Sequence, residues 1–95
     1  MDKPSPPYEL LIEHGPLKYL ERLRRKDAAG IDRDLNELAR DPLKKAGVVT
    51  MKGQVKGEFR MRCGKYRVVF RKDDEARLIV VTEIGPRGDV YKTGR

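Results

Sequence analysis

The chain has 95 residues, one cysteine and a net charge of +7, with 39% charged and 38% hydrophobic residues. That length supports one domain with a single modest core, and one cysteine beside one histidine excludes an internal disulfide and a zinc site. No apolar run approaches the roughly 20 residues of a membrane span, and the start has no signal-peptide core, so the reading is a cytoplasmic protein with no membrane association.

Residues 1–7 contain three of the six prolines and read as an extended leader to a folded core over 8–92. Tyr8, Leu10 and Ile12 alternate with Glu9 and Leu11, which predicts a short first strand. Gly15-Pro16 suits a helix start, and Leu17, Leu20 and Leu23 follow at helical spacing among basic residues. Asp27 is a candidate cap for a second helix, whose apolar stripe is Ala28, Ile31, Leu35, Leu38 and Ala39. Asp41-Pro42 stops it. Leu43 to Gly57, with three glycines and no clear period, reads as a loop.

From Phe59 to Phe70 apolar and basic residues alternate with period two on both sides of Cys63-Gly64-Lys65, which predicts a hairpin with one apolar and one cationic face. Phe59, Met61, Tyr66, Val68 and Phe70 are expected in the core. Between Lys52 and Arg71 seven cations stand against Glu58 alone, a net +6, so nearly all of the chain's excess charge sits on one hairpin. Charge concentrated in this way suits a polyanion. Lys72 to Glu75 is an acidic turn, and Arg77 to Ile84 is apolar enough for a central strand covered on both faces. Cys63, at the turn, and His14, beside Gly15-Pro16, carry no assigned role. The expected architecture is α+β: a two-helix hairpin packed on one face of a small, mainly antiparallel four-stranded sheet, in the order βααβββ, forming a single domain over 1–95.

Four stretches in order are Met51-Lys52-Gly53, Gly57 to Arg62, Gly64 to Phe70, and Ile84-Gly85-Pro86-Arg87-Gly88-Asp89-Val90-Tyr91. Together they resemble the successive signatures of the RelE/ParE superfamily of toxins from toxin–antitoxin pairs, over about Tyr8 to Lys92. The RelE branch implies a metal-independent, cofactor-free ribonuclease that enters the ribosomal decoding site and meets 16S rRNA there. It cuts messenger RNA by attack of the ribose 2′-hydroxyl on the adjacent phosphate and is neutralised by a cognate antitoxin. Carried over by position, the implied catalytic residues are Arg60, Arg62, Arg67, Arg87 and Tyr91. Lys52, Lys56, Lys65, Arg71 and Lys92 are assigned to RNA and ribosome contacts.

The reaction needs a base, cations for the dianionic phosphorane, and an acid at the 5′-oxygen. A guanidinium fork matches two phosphate oxygens, which suits the four arginines. Such a group does not readily give up a proton at neutral pH, and Pro86 stands where many relatives have histidine. Tyr91 is the leading base, with Lys52 and Lys65 in reserve; a free phenol titrates at about 10, so that role requires the arginines to favour phenolate. The alternatives are a solvated or generic RNA-contacting face for the arginines and a packing role for Tyr91. At the level of function they are a ParE-like inhibitor of DNA gyrase, or an inactive RNA- or ribosome-binding relative.

Overall fold

The computed structural model describes residues 7–42, 45, 47–50 and 58–87. Its elements are β1 (Glu9–Ile12), α1 (His14–Arg22), α2 (Arg25–Arg40), β2 (Val48–Thr50), β3 (Glu58–Cys63), β4 (Tyr66–Asp73) and β5 (Leu78–Pro86). One mixed sheet runs in the order β1-β5-β4-β3-β2, with β1 parallel to β5 and the other pairs antiparallel. The expected α+β class and βααβββ order hold. A three-residue edge strand, β2, adds to them inside the stretch read as loop, where Val48, Val49 and Thr50 pair with Met61, Arg60 and Phe59. Pairing, rather than any period of its own, makes this short segment a strand.

The helices cover one face of the sheet. Ile31, Leu35 and Leu38 from α2 meet Met61 and Cys63 of β3, Val68 and Phe70 of β4, and Ile79, Val81 and Ile84 of β5. All but Cys63 and Ile84 are essentially inaccessible, and each such side chain stabilises the fold by about 1.5–3 kcal/mol relative to an exposed one. The hairpin alternation is therefore realised: Met61, Val68 and Phe70 are buried, while Phe59 and Tyr66 pack partly buried against them. Phe59 and Phe70, opposite each other across β3 and β4, stack at 5.5 Å between ring centroids.

Several local expectations shift. Helix α1 begins at His14, two residues before Pro16, and Pro16 itself is buried. Leu17 stays 40% exposed, because the inward side of α1 is made by Pro16, Tyr19 and Leu20, followed by Leu23 at its C-terminal cap. Helix α2 begins at Arg25 with Arg24 in the extended capping position, so Asp27 sits inside the first turn and caps nothing. Its carboxylate accepts the Tyr66 hydroxyl at 3.0 Å, tying β4 to α2. Strand β5 is interior, between β1 and β4, as expected. Its helix-facing residues are fully buried, whereas Leu78 and Val80 on the other side are only half-buried.

Two turns fix the register. Gly64, at φ +60, is the first of the two residues between Cys63 and Tyr66, the position at which a two-residue hairpin accepts positive φ most readily as glycine. Between β4 and β5 the register breaks: Val69 faces Glu83 but Phe70 faces Val81, so Thr82 is an extra residue, a β-bulge whose hydroxyl donates to the Val69 carbonyl at 3.3 Å.

Candidate phosphate-binding face

The side of the sheet away from the helices carries the basic residues. Arg62 stands directly opposite Arg67, and Arg67 opposite Gly85; in the parallel row Arg60 faces Val69 and Val69 faces Glu83. Two arginines face to face repel each other, and Arg67 relieves the repulsion by lying across β5. Its Nη1 donates to the Pro86 carbonyl at 2.6 Å, and its Nη2 pairs with Glu83 Oε2 at 2.8 Å. Gly85 lies beneath the guanidinium, where an added Cβ would sit in ordinary contact with it, 3.6 Å from Nη1.

Arg87 joins the same end of the sheet from the other direction. Its backbone N–H donates to the Lys65 carbonyl at 2.8 Å, and its Nη1 donates to the Gly64 carbonyl at 2.9 Å. The β3–β4 turn thus holds Arg87 beyond the row formed by Arg62, Arg67 and Gly85. Arg60, Arg62 and Arg87 are exposed and Arg67 is half-buried. The exposed Lys65 lies in the turn itself.

The structure therefore brings together four of the five residues assigned to catalysis, Arg60, Arg62, Arg67 and Arg87, with Lys65 beside them. Arg71 does not join them: it faces Glu58 and Val80, four residues along β4 from Arg67, or roughly 13 Å at strand rise. Tyr91, Lys52, Lys56 and Lys92 lie outside the described residues. Among the described residues no group of three or more His, Cys, Asp and Glu converges as a metal site would require, and no helix is long and apolar enough to cross a membrane.

The titratable groups off this face are structural. Cys63 is not an incidental turn residue: it is buried, and burial, followed by the Asp34 carboxylate beside it, pushes its thiol up to about 12. The Asp27 carboxylate, accepting from the Tyr66 hydroxyl, raises that phenol's pKa. Tyr8 donates to Asp74 at 2.7 Å and is raised in the same way. Lys45, held by Glu37 at 2.9 Å and Asp34 at 3.2 Å, pins the chain after α2 back onto it. His14 is exposed in the first turn of α1.

Sequence reasoning assigned Glu83 no part in this face. The only signal was an acid in an otherwise apolar strand, and strict alternation from Ile79 and Val81 would have turned it into the core. The bulge at Thr82 reverses the phase, so Ile84 points inward and Glu83 outward among the arginines.

A cluster of arginines on the open face of a mixed sheet, backed by two helices, defines a small α+β domain with one basic face. The model of the ParE toxin of type II toxin–antitoxin systems matches residues 16–91, and the chain belongs to that family, within the RelE/ParE superfamily of toxins. Its relatives include Toxin RelG of Mycobacterium tuberculosis, 31% identical over 65 residues that make up 68% of this chain and 72% of the relative. The toxin of the RelBE2 toxin–antitoxin complex from the same organism superimposes with a TM-score of 0.76 at 26% identity, covering 93% of this chain and all of that one. The fold is also that of the archaeal RelE–RelB complex from Pyrococcus horikoshii, with a TM-score of 0.75 at 22% identity over 86% of this chain and 97% of that one.

Proposed function

We propose that this toxin is a ribosome-dependent messenger-RNA endonuclease of the RelE kind. It acts in the cytoplasm, contacts 16S rRNA at the decoding site, and is held inactive by a cognate antitoxin. The observation that carries the reading is the assembly of Arg60, Arg62, Arg67 and Arg87 on one face, with Arg67 and Arg87 anchored through backbone carbonyls. Anchored guanidinium groups meet a phosphorane's developing charge without reorganising. Phosphate oxygens would lie across Arg60, Arg62 and Arg87, with Arg67 beneath. The 2′-hydroxyl attacks the adjacent phosphorus, the P–O5′ bond breaks, and a 2′,3′-cyclic phosphate and a 5′-hydroxyl remain. Tyr91 is the side chain assigned to proton transfer. The antitoxin partner is supported by the relatives seen in complex with RelB proteins, and a +7 domain would capture an acidic or amphipathic segment quickly.

The family's description as ParE favours a second reading, inhibition of DNA gyrase. Primer extension on translating ribosomes separates the two. Cuts at a fixed codon position support the nuclease. Absence of cuts together with loss of supercoiling by purified gyrase supports the alternative, and absence of both leaves an inactive RNA- or ribosome-binding relative.

A further inference from the structure

Among the described residues the arginine cluster contains one acid. Glu83 is 54% exposed, 2.8 Å from Arg67, and shares a row with Val69 and Arg60. Among the described residues, the other acids on this face stand away from the cluster: Glu58 opposite Arg71, Asp73 opposite Leu78, and Glu9 on β1. A carboxylate in the midst of groups suited to phosphate repels the substrate. Arg67 has a second anchor besides it, because the Pro86 carbonyl accepts from Nη1 and Gly85 lies at contact distance from the guanidinium. A carboxylate here also supplies what the arginines lack, a group that accepts a proton.

We propose that Glu83 is the general base for the 2′-hydroxyl, an inference that rests on the nuclease reading above. The 2′-O–H proton passes to a Glu83 carboxylate oxygen as the 2′-O–P bond forms, with Arg67 holding the phosphate beside it. The P–O5′ bond breaks, and the departing 5′-oxygen takes a proton from solvent. Solvent then takes the proton from the Glu83 carboxyl, so no water is consumed and no metal or oxidant is required. The β-bulge at Thr82 gains a purpose in this scheme, since it is what turns Glu83 outward.

Glu83→Gln separates chemistry from positioning, because the amide oxygen still accepts from Arg67 while the proton acceptor is gone. Single-turnover cleavage of a defined message on programmed ribosomes, at saturating toxin, should fall by about a hundredfold or more. Added formate should restore part of the activity of Glu83→Ala. Cleavage by Glu83→Gln within about threefold of the unmodified toxin would overturn the assignment while leaving the nuclease reading intact. If the unmodified toxin cuts nothing on ribosomes, the nuclease reading falls, and the base assignment falls with it.

Discussion

Replacing Arg87 by alanine removes one guanidinium from the basic face and little else. The side chain is exposed, and its one described bond is a 2.9 Å donation to the Gly64 carbonyl, which water can replace. The backbone bond from Arg87 to the Lys65 carbonyl, which holds the end of β5 against the turn, is untouched. A side-chain hydrogen bond contributes about 0.5–1.5 kcal/mol net, and at a wet site the lower end applies. For a domain of this size that is a fall in Tm of a few degrees, since 1 kcal/mol corresponds to about 4–8 °C. Loss of a contact to transition-state charge costs about 3 kcal/mol, or on the order of a hundredfold in rate. The expected result is a nearly unchanged melting curve with single-turnover cleavage on programmed ribosomes down about a hundredfold and growth arrest abolished on expression. Arg87→Lys should recover only part, because an ammonium lacks the fork. An alanine variant that cuts at the original rate would refute the role of Arg87. A drop in Tm beyond about 10 °C would refute the structural argument that the side chain is dispensable to the fold.

Gly85→Val should displace the Arg67 guanidinium, which already lies at contact distance from an added Cβ, and so lower cleavage more than tenfold with the fold retained by circular dichroism, whereas Gly85→Ala should be tolerated. Tyr91→Phe keeps the ring and loses one oxygen, and should slow single-turnover cleavage by about 10²–10⁴-fold if the phenol transfers a proton; a change below about threefold would refute that role. Cys63 provides a stability test with a defined sign. Its thiol ordinarily ionises near 9 but is pushed up to about 12 in the fold, so above pH 9 the unfolded chain releases a proton that the folded one keeps, and stability falls as pH rises from 9 through 12. Denaturant melts should show Cys63→Ala less stable by about 1 kcal/mol at pH 7.5, with the gap closed near pH 10 and the order reversed by pH 10.5; a gap that does not narrow contradicts the burial of the thiol.

Sequence by itself determined the parts of this protein that rest on local periodicity. The 3.6-residue stripe of Ile31, Leu35 and Leu38 and the alternation of Phe59 to Phe70 each specify which side is apolar, so α2, β3, β4 and the cationic face are legible in the order of residues alone. Chain breakers are legible for the same reason: Gly64 and Asp41-Pro42 act on their own neighbours. Tertiary structure decided what depends on partners distant in sequence. The edge strand β2 exists through its pairing with β3, and α1 leaves Leu17 outward because Pro16 and Tyr19 take the inward positions. Asp27, a good capping residue by type, became the partner of Tyr66, 39 residues away. Largest in consequence is Thr82: one extra residue in β5, visible only in the pairing with β4, reverses the phase of the strand and delivers Glu83 to the arginines instead of the core. Alternation fixes a strand's faces only while the register runs unbroken, and a bulge is a property of two strands together.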